Sequence, residues 1–171
     1  MSPQLLKSPT FNQHSICIET LSLTQIERIQ DINQLLFGEQ RIINSFDHKD
    51  LIILLLIVDG LRAGFKIGYG QSNKVYYSAK GGVMPVFRRQ GYARLLTVEM
   101  MKRAQQIGYE KFEFDTFPNR GHEMLIMGLH DGFRITEAGW NNIHNDIRVH
   151  LSVSISEYLS RHANLVKTDD G

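Results

Sequence analysis

Hydrophobic and polar positions change their spacing several times along the chain, and each change marks an element. Ser15 to Thr20 alternates polar and apolar residues, the two-residue period of a short strand. Ser22 or Thr24 can cap the helix that follows, which carries Ile26, Ile29, Ile32 or Asn33, and Leu36 at helical spacing and stops at Gly38. Glu39 to Phe46 has a weaker helical period and reads as a short second helix or as a loop through Asn44 and Ser45. From Leu51 to Val58 the chain is continuously branched and apolar, the mark of a buried strand, and Asp59-Gly60 is a tight-hairpin dipeptide. Arg62 to Tyr69 is its partner, Gly70 to Lys74 a second turn, and Val75 to Met84 a third strand stopped at Pro85. These three strands make an antiparallel meander.

Gly91 to Gly108 returns to helical spacing, with Ala93, Leu96, Met100, Ala104 and Ile107 on one stripe. Glu110 to Phe117 alternates Phe112 and Phe114 with Glu113 and Asp115, so it reads as a strand after a crossover helix, parallel to Val75 to Met84. Asn119 to Asp131 reads as another helix closed by Gly132. Phe133 to Glu137 and Asp146 to Ile155 read as a last strand pair joined through Gly139 to Asn145. Residues 1–155 are expected as one domain, and 156–171 as a polar tail with helical character.

The segment with the most chemistry is Val83 to Arg94, a strand end, a glycine turn and a helix start. A helix start leaves backbone amides unpaired and carries about half a positive charge from the aligned peptide dipoles, so it can bind a diphosphate without a metal. Gly91 permits a positive φ and close backbone approach, Ala93 is small, and Arg88 and Arg89 add charged donors.

With this motif and this element order the chain resembles the GNAT superfamily of acyl-CoA-dependent N-acyltransferases. The family signature is Gln or Arg, two residues, Gly, one residue, then Gly or Ala, and Arg88, Arg89, Gln90, Gly91, Tyr92 and Ala93 match every fixed position. The resemblance implies one α/β domain whose mixed, mostly antiparallel sheet of six to seven strands splays between the fourth and fifth, with helices on both faces. It implies acetyl-CoA as acyl donor, with the amides of Arg88 to Ala93 on the diphosphate and the backbone of Val83 and Met84 on the pantetheine arm. Asn119 matches a family asparagine that reaches the cofactor; as a lone residue it fits an N-cap equally well. Pro85 lacks an N–H and biases Met84 toward an extended shape, which would let this strand diverge from Glu110 to Phe117 and open a V-shaped gap.

The activity so implied is N-acetyl transfer to a primary amine by direct attack. The amine must be deprotonated, the oxyanion needs a donor such as the amide of Val83 or Met84, and the thiolate needs a proton. The family's usual acid, a tyrosine four residues before the late-helix glycine, is replaced here by Gly128. Tyr77 and Asp115 are therefore the catalytic candidates, with Tyr69 and Glu113 beside them; each also fits a solvated or packing role. The missing tyrosine motivates the alternative of a non-catalytic acyl-CoA-binding regulatory module.

Composition narrows the remaining classes. Among 171 residues the net charge is +1, so no global field draws in nucleic acid or an anionic membrane, and a contact through Arg88, Arg89 and Arg94 would be local. Cys17 is the single cysteine, which removes disulfide frameworks and multi-cysteine metal sites, fits a reducing cytoplasmic setting and argues against an acyl-cysteine. His122 and His130 stand eight apart and do not form a metal-binding pair, so no metal is expected. Met1 to Thr10 lacks a signal-peptide pattern and no apolar run approaches a membrane span. Gly68, Tyr69, Gly70 begins like a dinucleotide fingerprint but reads as a hairpin turn, since Asn73 replaces its third glycine. The acceptor is a small-molecule or protein amine, and a homodimer is compatible with the family.

Overall fold

The structure, a computed structural model, describes residues 14–166; the readings of Met1 to Thr10 and of 167–171 lie outside it. Seven strands form one mixed sheet: β1 (Ile16–Leu21), β2 (Ile52–Val58), β3 (Leu61–Gly70), β4 (Val75–Val83), β5 (Lys111–Thr116), β6 (Arg134–Asn141) and β7 (Asp146–Ser154). Their spatial order is β1-β2-β3-β4-β5-β7-β6, and only β4 with β5 runs parallel. Helix α1 (Glu27–Phe37) covers one face. Helices α2 (Tyr92–Ile107), α3 (Glu123–His130), α4 (Ile155–Arg161) and α5 (Ala163–Val166) cover the other.

The uninterrupted apolar run of β2 is explained by this double cover. Ile53 and Leu55 pack with Ile29, Ile32, Phe65 and Ile67 under α1. Ile52, Leu54 and Leu56 pack with Leu96, Met100 and Met101 under α2. A strand buried on both faces has no polar side to show. Asp59 (φ 51°) and Gly60 (φ 77°) both take the left-handed conformation, as the two-residue hairpin requires.

Residues 39–46 take the loop of the two readings: the buried Asn33 amide donates toward the carbonyls of Glu39, Gln40 and Arg41, which removes them from any helical ladder. Three expectations need correction. Helix α3 starts at Glu123 instead of Asn119, because Pro118 to Gly121 is spent on a turn that ties to β7. Strand β6 continues to Asn141, absorbing the first three residues of the expected connection, and the turn closes with Asn145 at φ 52°. Residues 156–166 are helical as expected but are not a polar appendage: Tyr158 and Leu159, with Ile155 before them, are buried in the α2-side core.

The gap between β4 and β5 is present, but it opens well before Pro85. Only Val75, Tyr76 and Tyr77 pair with β5, opposite Lys111, Phe112 and Glu113. The β3–β4 register slips just beyond this point: Gly68 faces Ser78 while Ile67 faces Lys80, leaving Ala79 as an extra residue. Such a bulge bends its strand and increases its twist, which turns β4 away from β5. Pro85 merely ends a divergence that Ala79 begins.

Candidate functional site

At the end of β4 the chain makes a single turn of tight helix, Pro85–Phe87, and then climbs to α2 through two left-handed residues, Arg89 (φ 62°) and Gly91 (φ 84°). The first α2 bond is Leu95 N–H to Gly91 O at 3.0 Å. Arg88 N–H is committed to Pro85 O at 3.2 Å, whereas the N–H groups of Arg89 to Arg94 find no acceptor among the described residues. These amides form a concave donor array at a helix start, which is an anion site. A Cβ on Gly91 would meet nothing within 4 Å, so the glycine is demanded by its φ and leaves open space in front of the array.

The side chains of the motif divide by role. Arg88 folds back and donates from Nε to Val83 O at 2.9 Å, fastening the loop to β4. Arg89 and Gln90 are exposed, and Tyr92 is buried in the core, so only its backbone faces outward. Arg94 is held by Asp131 through two 2.9 Å bonds and joins α2 to α3, which removes it from the basic patch. Along β4, Met84 N–H donates to Ala63 O at 2.7 Å. Antiparallel alternation then turns the amides of Val83 and Gly81 away from β3, into the gap. Of the two amides expected to serve an oxyanion, Val83 is the one left open. A cavity of about 600 Å³ shares Gln90, Gly91 and Tyr92 with the loop but lies on the β1 side of α2, away from the gap.

On the α1 face, beyond the reach of α1 itself, β3, β4, β5 and β7 present a polar cluster. Tyr77 donates its hydroxyl to Asp115 Oδ2 at 2.6 Å. Asp115 Oδ1 also receives Arg148 at 3.1 Å and lies 2.7 Å from His150 Nδ1, while His150 Nε2 lies 2.8 Å from Glu113 Oε2. Arg148 reaches on to Glu137 at 2.6 Å. Tyr69 stands beside Tyr77 with its ring stacked on His48 at 3.6 Å.

The environment fixes what each group can do. Burial, reinforced by the Asp115 hydrogen bond and charge, holds the Tyr77 phenol far above its usual range, so it donates and never serves as a base near neutrality. Burial and the Asp115 charge raise Tyr69 as well. Burial disfavours the His150 imidazolium, but hydrogen bonds and charge from Asp115 and Glu113 outweigh it, and the net pKa lies above 6.5.

The structure brings together Tyr77, Asp115, Glu113 and Tyr69, four residues the sequence nominates. It adds His150 and Arg148, which in sequence look like the outward positions of an ordinary alternating strand. Tyr76, adjacent to Tyr77, points the opposite way into the core against Tyr109 and Phe112. Asn119 does not cap α3, whose N-cap position is His122; its amide donates to Asp146 Oδ1 at 2.9 Å. Gly128 leaves no room for the family tyrosine, since a Cβ there would lie 3.0 Å from the Phe114 ring and 3.3 Å from Leu151. Of the paired glycines in β4, Gly82 serves packing: a Cβ would lie 2.8 Å from Leu36 of α1.

A sheet split between two parallel strands, beside an anion-binding helix start, defines an α/β domain made to seat a ligand with a phosphate head and an extended arm. The acetyltransferase (GNAT) domain model matches residues 40–123, which identifies that stretch as a GNAT acetyltransferase domain. Solved structures agree in fold. A GNAT family acetyltransferase from Elizabethkingia anophelis, with acetyl-CoA bound, is 18% identical with a TM-score of 0.69, over 81% of this chain and 97% of that one. The ribosomal-protein-S18-alanine N-acetyltransferase of Escherichia coli is 15% identical with a TM-score of 0.68, over 82% and 94%. The IAA acetyltransferase of Bacillus cereus is 17% identical with a TM-score of 0.70, over 82% and 99%. No curated protein matches in sequence. Among the described residues no helix is long and apolar enough to cross a membrane.

Proposed function

We propose that this protein transfers an acetyl group from acetyl-CoA to a primary amine by direct attack. The observation that carries this reading is the β4–β5 pair, which separates after three residues beside six unpaired amides at the start of α2. The residues fit the donor: amides of Arg89 to Ala93 for the diphosphate, the open edge of β4 at Gly81 and Val83 for the amide-bearing arm, and Val83 N–H for the oxyanion. Cys17, exposed on the edge strand β1 and two strands removed from β4, fits no acyl-enzyme. Its exposed thiol suits the reducing cytoplasm.

The amine side is the cluster around Asp115. Three carboxylates, Glu113, Asp115 and Glu137, face two cations, Arg148 and protonated His150, so the cluster keeps a net negative charge that attracts an alkyl ammonium and can take its proton. Free alkyl ammonium, with a pKa of about 10.4, is mostly unreactive at neutral pH until that proton leaves. Because His150 is protonated up to a pKa above 6.5, kcat/KM is expected to rise with pH through that value, and His150→Gln to lose this limb. A pH–rate profile with saturating acetyl-CoA checks it; an identical limb in the variant would remove His150 from proton transfer.

The reading is tested by following thiol release from acetyl-CoA over small primary amines and peptides with free N-termini. Amine-dependent release is expected. Tight acetyl-CoA binding with no release for any amine would instead favour the non-catalytic acyl-CoA module.

A further inference from the structure

Lys66 is a buried charge with no hydrogen-bond or ion-pair partner among the described residues. Lys66 sits in the middle of β3, opposite Leu54 of β2 and Gly81 of β4, on the face covered by α2. It is 8% exposed. Its Nζ lies 5.9 Å from the centroid of the Phe112 ring on β5, so the side chain leans over β4 toward β5. Gly81 makes room for it: a Cβ there would lie 3.3 Å from Lys66 Cγ. Gly81 is four residues past Tyr77, the last β4 residue paired with β5, so the stem lies where the strands have parted. The ammonium points toward the closed end of the V.

Among the described residues Lys66 makes no hydrogen bond and no ion pair, and the Phe112 ring face is a weak substitute for a counter-ion. Tyr76, on the same face, spends its hydroxyl on Asp50 O and is kept a neutral phenol by burial. Burial alone lowers the Lys66 pKa to about 8. A methionine would fill this place without desolvating a charge. An unpaired ammonium aimed into a strand gap is matched to an anion that forms there.

We propose that Lys66 is the proton donor and counter-ion for the CoA thiolate as it leaves the acyl carbon; this rests on the acyl-CoA reading above. The faces of the sheet assign the roles. The Tyr77–Asp115 cluster lies on the α1 face and Lys66 on the α2 face, so the amine enters on one side of the gap and sulfur departs on the other. Attack forms the C–N bond, and the amine proton passes to the Asp115–His150 cluster. The C–S bond then breaks with its electron pair on sulfur, which takes a proton from Nζ and leaves Lys66 neutral. Water returns one proton to Lys66 and takes one from the cluster, so the products are the amide and free CoA thiol. At a pKa of about 8 Lys66 still carries its proton near neutrality, where its charge favours the leaving thiolate, and it releases that proton more readily than an ordinary lysine near 10.4.

The experiment follows the thiolate absorbance of CoA bound to the full-length protein as pH is raised, for wild type, Lys66→Met and Lys66→Arg, with calorimetric CoA affinity measured alongside. In wild type the bound thiol is expected to ionise at least tenfold more readily than in free CoA. Lys66→Met should bind CoA but lose that shift, and Lys66→Arg should keep part of it. CoA that binds wild type with an unshifted thiol, or a shift that survives in Lys66→Met, would overturn the assignment of Lys66 alone. Absence of CoA binding by wild type would overturn both this and the acyl-CoA reading.

Discussion

Gly91→Asp is expected to lower the affinity for acetyl-CoA at least about a hundredfold, the loss of two charge-assisted hydrogen bonds to an anion, while the protein stays folded. The new Cβ meets no atom within 4 Å, so nothing in the core moves. The backbone at φ 84° costs a side chain about 1–2 kcal/mol, and aspartate tolerates this region better than most residues. A carboxylate at a helix start recovers about 0.3–1 kcal/mol from the helix dipole. What the variant cannot accommodate is a second anion, because its own carboxylate occupies the amides of Arg89 to Ala93. Gly91→Asn supplies the control, with the same strain and volume and no charge. Calorimetric titration of both variants, with melting curves, separates the contributions: aspartate should lose far more affinity than asparagine at similar Tm. Equal, unchanged affinities would mean that the diphosphate sits elsewhere.

The elements legible in the sequence are those whose signal is local. The Leu51 to Val58 run, the Asp59-Gly60 turn and the long stripe of α2 each carry their own period and their own stop, and each falls within a residue or two of its place. What could not be read depends on which strands become neighbours. His150 and Arg148 look like the wet side of β7 until β7 lies against β5, where Asp115 faces His150 across the ladder. That adjacency skips β6 in chain order, and no local period announces it. Ala79 is invisible as a bulge because the extra residue is defined by register against β3. Pro85 is a strong local signal for a divergence that begins instead at Ala79. Lys66 misleads in the other direction. Between Phe65 and Ile67 it reads as the solvent position of an alternating strand, but a sheet covered on both faces has no solvent side at its centre.

That position carries a measurable penalty, and Lys66→Met is expected to make the protein more stable near neutral pH by about 3 kcal/mol, the free energy of moving a lysine pKa from 10.5 to about 8 at 1.36 kcal/mol per unit. The sign follows from proton counts. Between pH 8 and 10.5 the unfolded chain binds the Lys66 proton more tightly than the folded one, so wild-type stability gains from this residue as pH rises and loses that gain as pH falls through about 8. Lys66→Met has no such slope, so its advantage should be full at pH 7 and shrink steadily above pH 8. Tyrosines complicate the alkaline limb of either protein: burial raises Tyr76, Tyr77 and Tyr158, whose contributions are present below pH 10 and lost above their folded pKa values. They are common to both proteins, and the difference between denaturation midpoints from pH 6.5 to 9.5 isolates Lys66. A variant that is less stable at pH 7, or a difference independent of pH, would mean that the ammonium has found a partner and is not held uncompensated in the gap. A stabilised variant that has lost the thiol shift would mark Lys66 as a residue kept at the expense of the fold, for chemistry at the sulfur.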